Sequence, residues 1–405
     1  MNLPFFIAKR YLFARKSRNV INLISGISLL GIGVGAMALI VVLSTFNGMR
    51  ILVEDLYSSF DPEIRIEPAQ GKTFAWDEFP EEKLREHQAV RLISRSIQET
   101  VLLRYREAQF FVTLKGVDST YLEMTGLDSM MYSGDMKLRE NGKNYCIVGY
   151  GVADQLSIFL SHMFEPVKVY AAKRTAKVTV NPQDAFLTDV IYPAGIFAIN
   201  PEFDYQYVLA PYEFSAELLQ HPGRVSSVEV GLVPGADMDQ VARELKEILG
   251  DDFQVKSRYQ LNEVLYQTNQ TEKWITFMIL SFVLGIAAFN LIGSISMVII
   301  DKREDIYTLQ AMGLRPAQIR RLFLLEGMMV SALGGGGGLV IGAILCILQS
   351  TIGLVKLQTG AIVEYYPVSM EWADFLAVSL IVIVIGFIAA WLPAFWGTRK
   401  YLLHK

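Results

Sequence analysis

From Trp274 to Ile300 no residue carries a charge, and the run stops abruptly at Asp301-Lys302-Arg303-Glu304-Asp305. An α-helix crosses a hydrocarbon core with about 20 apolar residues, because every peptide group must find its partner inside the segment. This run is therefore read as a membrane span, and the rest of the chain has to be arranged around it. Three other stretches meet the same condition. Arg18 to Arg50 is free of charge between its ends, and its basic start resembles a signal peptide. The apolar run is too long for a signal h-region and no Ala-x-Ala-like cleavage site follows, so it is read as a retained span. Further spans follow Leu322 and Phe375.

Composition agrees with a chain that is partly in lipid and partly in water. Of its 405 residues 52% are apolar, which is high for a soluble protein, yet 19% are charged. The net charge of −4 argues against nucleic acid as a partner. The two cysteines, Cys146 and Cys346, fall in different regions and have no CxxC spacing, so neither a disulfide between them nor a metal site is expected.

The expected organisation is an α-helical membrane protein with four transmembrane helices and a large α+β domain inserted between helices 1 and 2. Residues 1–18 form a basic amphipathic segment at the interface and 19–48 the first span. Residues 49–272 form the water-exposed domain and 273–300 the second span. Residues 301–320 form a connecting segment, 321–355 the third span, 356–373 a short loop, 374–397 the fourth span and 398–405 a tail. Basic residues set the orientation. Lys9, Arg10, Arg15, Lys16 and Arg18 precede the first span. Lys302, Arg303, Arg315, Arg320 and Arg321 lie between the second and third, and Arg399, Lys400 and Lys405 end the chain. The loop at 356–371 has Lys356 alone. Both termini and the 301–320 segment are thus expected in the cytoplasm, with the large domain outside.

Within that domain, Gln98–Tyr105 and Gln109–Lys115 flank a polar turn at Arg106-Glu107 and read as a hairpin. Val167–Tyr170 and Ala176–Val180 read as a second strand pair. Asp237 caps an expected helix through Leu249. In the spans, Gly31 and Gly35 form a small-xxx-small face, and the run Gly334–Gly338 reads as a packing surface or, alternatively, a hinge. Glu326, near the start of the third span, is expected to stay wet at the interface.

No sequence signature of catalysis is found. There is no GxxxxGK[ST] phosphate loop, no GxSxG elbow and no HExxH, and Gly334–Gly338 has no following Lys-Ser/Thr. The informative piece is the segment after the second span. Ile306, Leu309 and Met312/Gly313 share one face of a short helix, Gly313 can cap it and Pro316 can begin the next. Spacing alone leaves two readings open, a helix offered to a groove of a soluble partner and a turn lying on the lipid surface.

The stretch AFNLIGSISMVIIDKREDIYTLQAMG (288–313) resembles the second span and coupling segment of lipoprotein-releasing ABC permeases of the LolC/LolE type, within the FtsX/MacB-like superfamily. LGIGVGAMALIVVLSTFNGM (30–49), GLRPAQIRRLFLLEG (313–327) and WLPAFWGTRK (391–400) extend the match through the spans. IVGYGVADQL and PAGIFAINPEFDYQYV extend it into the domain.

The resemblance implies an inner-membrane permease with a periplasmic domain and no nucleotide site of its own. ATP and Mg are used by a separate LolD-like ATPase, and a second permease chain, identical or paralogous, completes the pair. Triacylated lipoproteins are the substrate, surrounded by membrane lipids, and a LolA-like carrier receives them. It assigns coupling to the ATPase to Lys302, Arg303, Glu304, Asp305, Ile306, Tyr307, Leu309, Met312 and Gly313. It assigns the lipoprotein cavity to Leu43, Phe46, Met49, Phe277 and Leu280. It puts the carrier-recruiting hook at Ala171–Ala185, with Lys173 and Arg174 as contacts, although this stretch departs from the hook pattern. Competing readings are a permease that switches on cell-wall hydrolases, a peptide or drug exporter, and a membrane-tethered sensor without an ATPase.

Overall fold

The computed structural model describes residues 5–8, 10, 19–160, 165–173, 185–357 and 365–402. Most of the N-terminal amphipathic segment, Arg174 and the Ala176–Val180 strand therefore lie outside the described residues. The chain forms two compact units, residues 1–52 with 267–405, and residues 53–266 between them in sequence.

The first unit is a helical bundle. Four helices are long and apolar enough to cross a membrane. The first helix runs Asn19–Ser58, the second Glu263–Asp301, the third Pro316–Ile352 and the fourth Trp372–Leu402. The first continues about ten residues past its apolar run and the second starts about ten before it, so the helices outlast the hydropathy that reveals them. The third helix passes unbroken through Gly334–Gly338. It begins with Pro316 at its first position and ends at Gly353, whose φ is +67°.

Glycine decides how closely these helices approach. A Cβ at Gly334 would come 2.6 Å from the Leu29 carbonyl oxygen, and one at Gly338 would collide with the Gly33 carbonyl. Gly335 instead faces Val382 of the fourth helix, while Gly336 and Gly337 face open space. The run is thus a packing surface for two neighbours rather than a hinge. Gly31 and Gly35 face Ala287 and Leu284 of the second helix, as the small-xxx-small spacing predicts.

Glu326 departs from expectation. It is 6% exposed, with Oε2 lacking a hydrogen-bond partner. The cause lies next to it: with no side chain on Gly327, Ile295 and Ala390 close onto that turn. Cys146 and Cys346 are both buried and free.

The second unit is built, among the described residues, on an eleven-stranded sheet. Its central path runs Phe253–Ser257, Ile64–Pro68, Ser227–Leu232, Val90–Tyr105, Ala108–Val117, Tyr207–Pro211, Lys143–Gly149, Phe186–Phe197 and Met131–Gly134. Two neighbouring pairs are parallel, Tyr207–Pro211 on Ala108–Val117 and Lys143–Gly149 on Phe186–Phe197. The hairpin is present and longer than expected. It closes at Tyr105↔Ala108 through Arg106, whose φ is +55°. Val167–Ala172 pairs with Phe186–Ile191 and with Leu102–Arg104. Met238–Leu249 is the expected helix, with the Asp237 carboxylate accepting from the amides of Asp239 and Gln240. It buries Val241, Leu245 and Leu249 against Ile64, Ile66 and Val230, and leaves Ile248 exposed.

Candidate functional site

The connecting segment forms a helix, Arg303–Ala311. Asp305 and Glu304 sit in its first turn, where the helix dipole favours negative charge, and Lys302 lies 3.5 Å from Asp301 and 3.4 Å from Asp305. Its end is a Schellman motif. The Leu314 amide donates to the Leu309 carbonyl at 3.0 Å and the Gly313 amide to Gln310 at 2.9 Å, with Gly313 at φ +90°. Arg315 then caps the third helix, its amide donating to Gln318 Oε1 at 2.8 Å. The two helices are joined by a sharp, hydrogen-bonded corner rather than a loose linker.

The direction of the apolar face differs from the groove-docking expectation. Ile306 is 1% exposed within the bundle core, and Leu309 and Leu314 pack against that core beside the third and fourth helices. These residues hold the helix to its own chain. The face left open carries Arg303, Glu304, Tyr307 and Met312, with Tyr307 45% and Met312 73% exposed. Spacing identifies an apolar stripe; it does not say whether the chain itself covers it.

The proposed cavity residues divide in the same way. Leu43 is 2% exposed in the bundle core, and Phe277 and Leu280 pack onto that core. Leu43 thus packs within this chain. Phe46 and Met49 are half-buried. The apolar groove between the first and second helices, about 440 Å³, lies farther along. It is lined by Ile27, Leu30, Val34 and Ala38 on one side and Val283 and Ala287 on the other. This groove lies at other turns of the first and second helices than Leu43, Phe46, Met49, Phe277 and Leu280. Ile27, Leu30 and Val34 recur about one turn apart on the first helix, and Gly31 and Gly35 line the same groove beside them.

The backbone of Lys173 donates to the Ala185 carbonyl at 2.8 Å, extending the Val167–Ala172 ladder to the mouth of the proposed hook. Among the described residues no group of three His, Cys, Asp or Glu side chains could hold a metal ion.

A polar constellation that the sequence did not reveal sits in the second unit. Glu229 is fully buried and accepts from Ser96 Oγ at 2.9 Å and Ser227 Oγ at 3.0 Å. Lys115, 1% exposed, places Nζ 3.3 Å from Glu229 Oε1, and Arg65 Nε lies 3.3 Å from Oε2. Arg65 also reaches Asp61 Oδ1 at 2.8 Å, and Asn262 Nδ2 donates to Asp61 Oδ2 at 3.1 Å. Arg258 donates to the Asp61 carbonyl at 3.1 Å. Lys115 lies 5.1 Å over the Phe60 ring and 4.4 Å over that of Tyr121, whose hydroxyl donates to the Phe60 carbonyl.

Burial alone would raise the Glu229 carboxyl. Lys115, Arg65 and the two serines outweigh it and hold the group at about 2. Burial draws Lys115 below its ordinary value, against the pull of Glu229. Phe60 and Asp61 follow the last turn of the first helix, and Arg258 and Asn262 precede the second. The cluster thus joins the two chain segments that lead to the spans. Tyr57, in the last turn of the first helix, adds a hydrogen bond to Glu202 at 2.6 Å.

Residues 25–248 match the MacB-like periplasmic core domain, and residues 277–401 match the FtsX-like permease C-terminal domain. The chain belongs to the MacB/FtsX-like permease family. Over nearly its full length this permease is similar to lipoprotein-releasing system transmembrane proteins. It is 25% identical to LolE of Haemophilus influenzae, across 97% of this chain and 96% of that protein. It is 24% identical to LolC of Xylella fastidiosa, across 98% and 97%. LolC of Neisseria meningitidis is 21% identical, across 97% and 96%. The permease is accordingly a multi-pass membrane protein with a domain of the MacB-like periplasmic type, and the resemblance read from the spans holds along the whole chain.

Proposed function

We propose that this chain is the permease subunit of an ABC transporter that lifts lipoproteins from the outer leaflet of the inner membrane. A separate ATPase subunit binds and hydrolyses ATP with Mg beneath it, and a second permease chain, identical or paralogous, faces it. A periplasmic carrier receives the cargo. Both termini and the Arg303–Ala311 helix are cytoplasmic, following the basic residues.

The observation that carries this reading is the full-length similarity to LolE and LolC, spans and outer domain together. A short helix fixed by Ile306 and a Schellman corner, with Arg303, Glu304, Tyr307 and Met312 exposed, supports the reading. Such a helix moves with the third span when pushed, instead of bending away. Energetics supply the need for a motor. Each buried CH₂ of an acyl chain is worth about 0.8 kcal/mol, so whole chains cannot pass through water and must stay against apolar surface. The groove lined by Ile27, Leu30, Val34 and Val283 offers such a surface.

Depletion of the permease in its own bacterium tests the reading. Outer-membrane lipoproteins are expected to accumulate in the inner membrane, and an ATPase subunit to co-purify with the tagged chain. Normal lipoprotein sorting after depletion defeats it.

A further inference from the structure

At the end of the bundle where the first helix passes Asn47 and the second begins its apolar run, the described residues form a polar group. Asn47 is 1% exposed and Asp374, in the first turn of the fourth helix, 7%. Asn47 Nδ2 donates to Asp374 Oδ2 at 2.5 Å and to the Ser369 carbonyl at 3.3 Å. Lys273, on the second helix, donates from Nζ to Asn47 Oδ1 at 2.7 Å and pairs with Asp374 Oδ1 at 3.1 Å. Beside this group Glu371 pairs with Arg50 at 2.9 Å and lies 3.9 Å from Lys273 Nζ, and the Ser369 amide donates to the Ser44 carbonyl. Three helices and the segment before the fourth therefore meet on one amide and one carboxylate.

The placement is selective. Between the first and second helices, Gly31 and Gly35 meet Ala287 and Leu284 through apolar contact, and the groove at Ile27 to Ala38 is apolar. A second polar tie, Ser25 Oγ to Ser294 Oγ at 3.0 Å, lies at the opposite end of the pair and joins two neutral hydroxyls. The tie at Asn47 is charge-assisted and buried, hence the stronger of the two and the more costly to leave half-made.

We infer that Asn47, Lys273 and Asp374 form a clasp that keeps the ends of the first and second helices together, and that parting these helices requires its release. The inference rests on the lipoprotein reading for its purpose, since acyl chains that enter between the helices need this end to open. Lys273 is the moving member. Its side chain is 29% exposed, so on leaving Asn47 its ammonium can turn to water, whereas Asn47 and Asp374 keep their mutual bond and Asp374 keeps the favourable dipole at its helix start.

The full chain in lipid nanodiscs, with Cys146→Ala, Cys346→Ala, Ile51→Cys and Ile275→Cys, takes spin labels at two exposed positions close to the clasp. Distances are read by pulsed electron resonance. Lys273→Met and Asn47→Leu are each expected to raise the separated population about tenfold, the ratio that 1.4 kcal/mol sets. Lys273→Arg is expected to restore the closed distance, and Ser294→Ala to leave it unchanged. Distributions in Lys273→Met and Asn47→Leu that match the parent overturn the clasp. Should Asn47→Leu fail to insert, Lys273→Met decides alone. Separation without any defect in lipoprotein release upholds the clasp and defeats its assigned purpose; a release defect without separation defeats the clasp.

Discussion

Replacing Glu229 with Gln tests the outer domain's charge cluster directly. The carboxylate has no solvent exposure and is held at about 2 against an ordinary 4.5. That gap corresponds to about 3 kcal/mol of preference for the ionised form in the folded domain. Because the folded value is depressed, this stability is fully present above about pH 4.5 and is lost as pH falls toward 2. Gln keeps the shape and the hydrogen bonds from Ser96 and Ser227 but leaves Lys115 and Arg65 without their shared counter-charge. Removing one member of a buried pair costs about 3–5 kcal/mol. Hydrogen exchange on the full chain in nanodiscs reads this on strand Ser227–Leu232, which is buried throughout. At neutral pH, Glu229→Gln is expected to lower protection there by about a hundredfold or more, while amides of the third membrane helix keep theirs. The double change Glu229→Leu with Lys115→Met is expected to recover part of the loss, since an apolar pair of similar volume carries no desolvation cost. Protection in Glu229→Gln within about twofold of the parent at neutral pH would refute the argument, because a buried carboxylate that can be neutralised without cost is not holding two cations in place.

Two further predictions concern the bundle. Tyr307→Ala and Met312→Ala are expected to weaken co-purification of the ATPase subunit with the chain still inserted normally, whereas Ile306→Ala should lower thermal stability by about 2–5 kcal/mol through the cavity it leaves. Equal loss of partner from all three with unchanged stability would show that the open face is not the docking face. Gly338→Val should separate the first and third helices and reduce the amount of folded protein recovered. Gly336→Ala and Gly337→Ala, which meet nothing within 4 Å, should be tolerated; similar yields from all three would count against the packing role.

The spans were legible because lipid leaves little choice. An uncharged run such as Trp274–Ile300 has one low-energy solution. The hairpin at Arg106-Glu107 and the cap at Asp237 were legible because each is local. What escaped was set by distant chain. The strand Val167–Ala172 takes Phe186–Ile191 as partner, a choice no local pattern encodes. Ile306 and Leu309 announce an apolar stripe, but whether kin or stranger covers it depends on where the third and fourth helices lie. Ser-Val-Glu-Val-Gly-Leu (227–232) alternates like a strand with one wet face, yet both faces are buried, and Glu229 is admitted because Lys115 and Arg65 arrive from elsewhere in the chain. Glu326 was misjudged for a related reason: depth along a span was readable, but not the closing of neighbours over Gly327.

The seam between Gly33 and the pair Gly334 and Gly338 has a mechanical corollary. Helices that mesh side chains behave like gears, and each axial position is a notch. Here the backbone of Gly334 lies against that of Leu29 and the backbone of Gly338 against that of Gly33, with no side chain between them. A seam with no room for even one methyl group fixes the spacing of the first and third helices, so neither can draw apart or press closer without disturbing backbone contact.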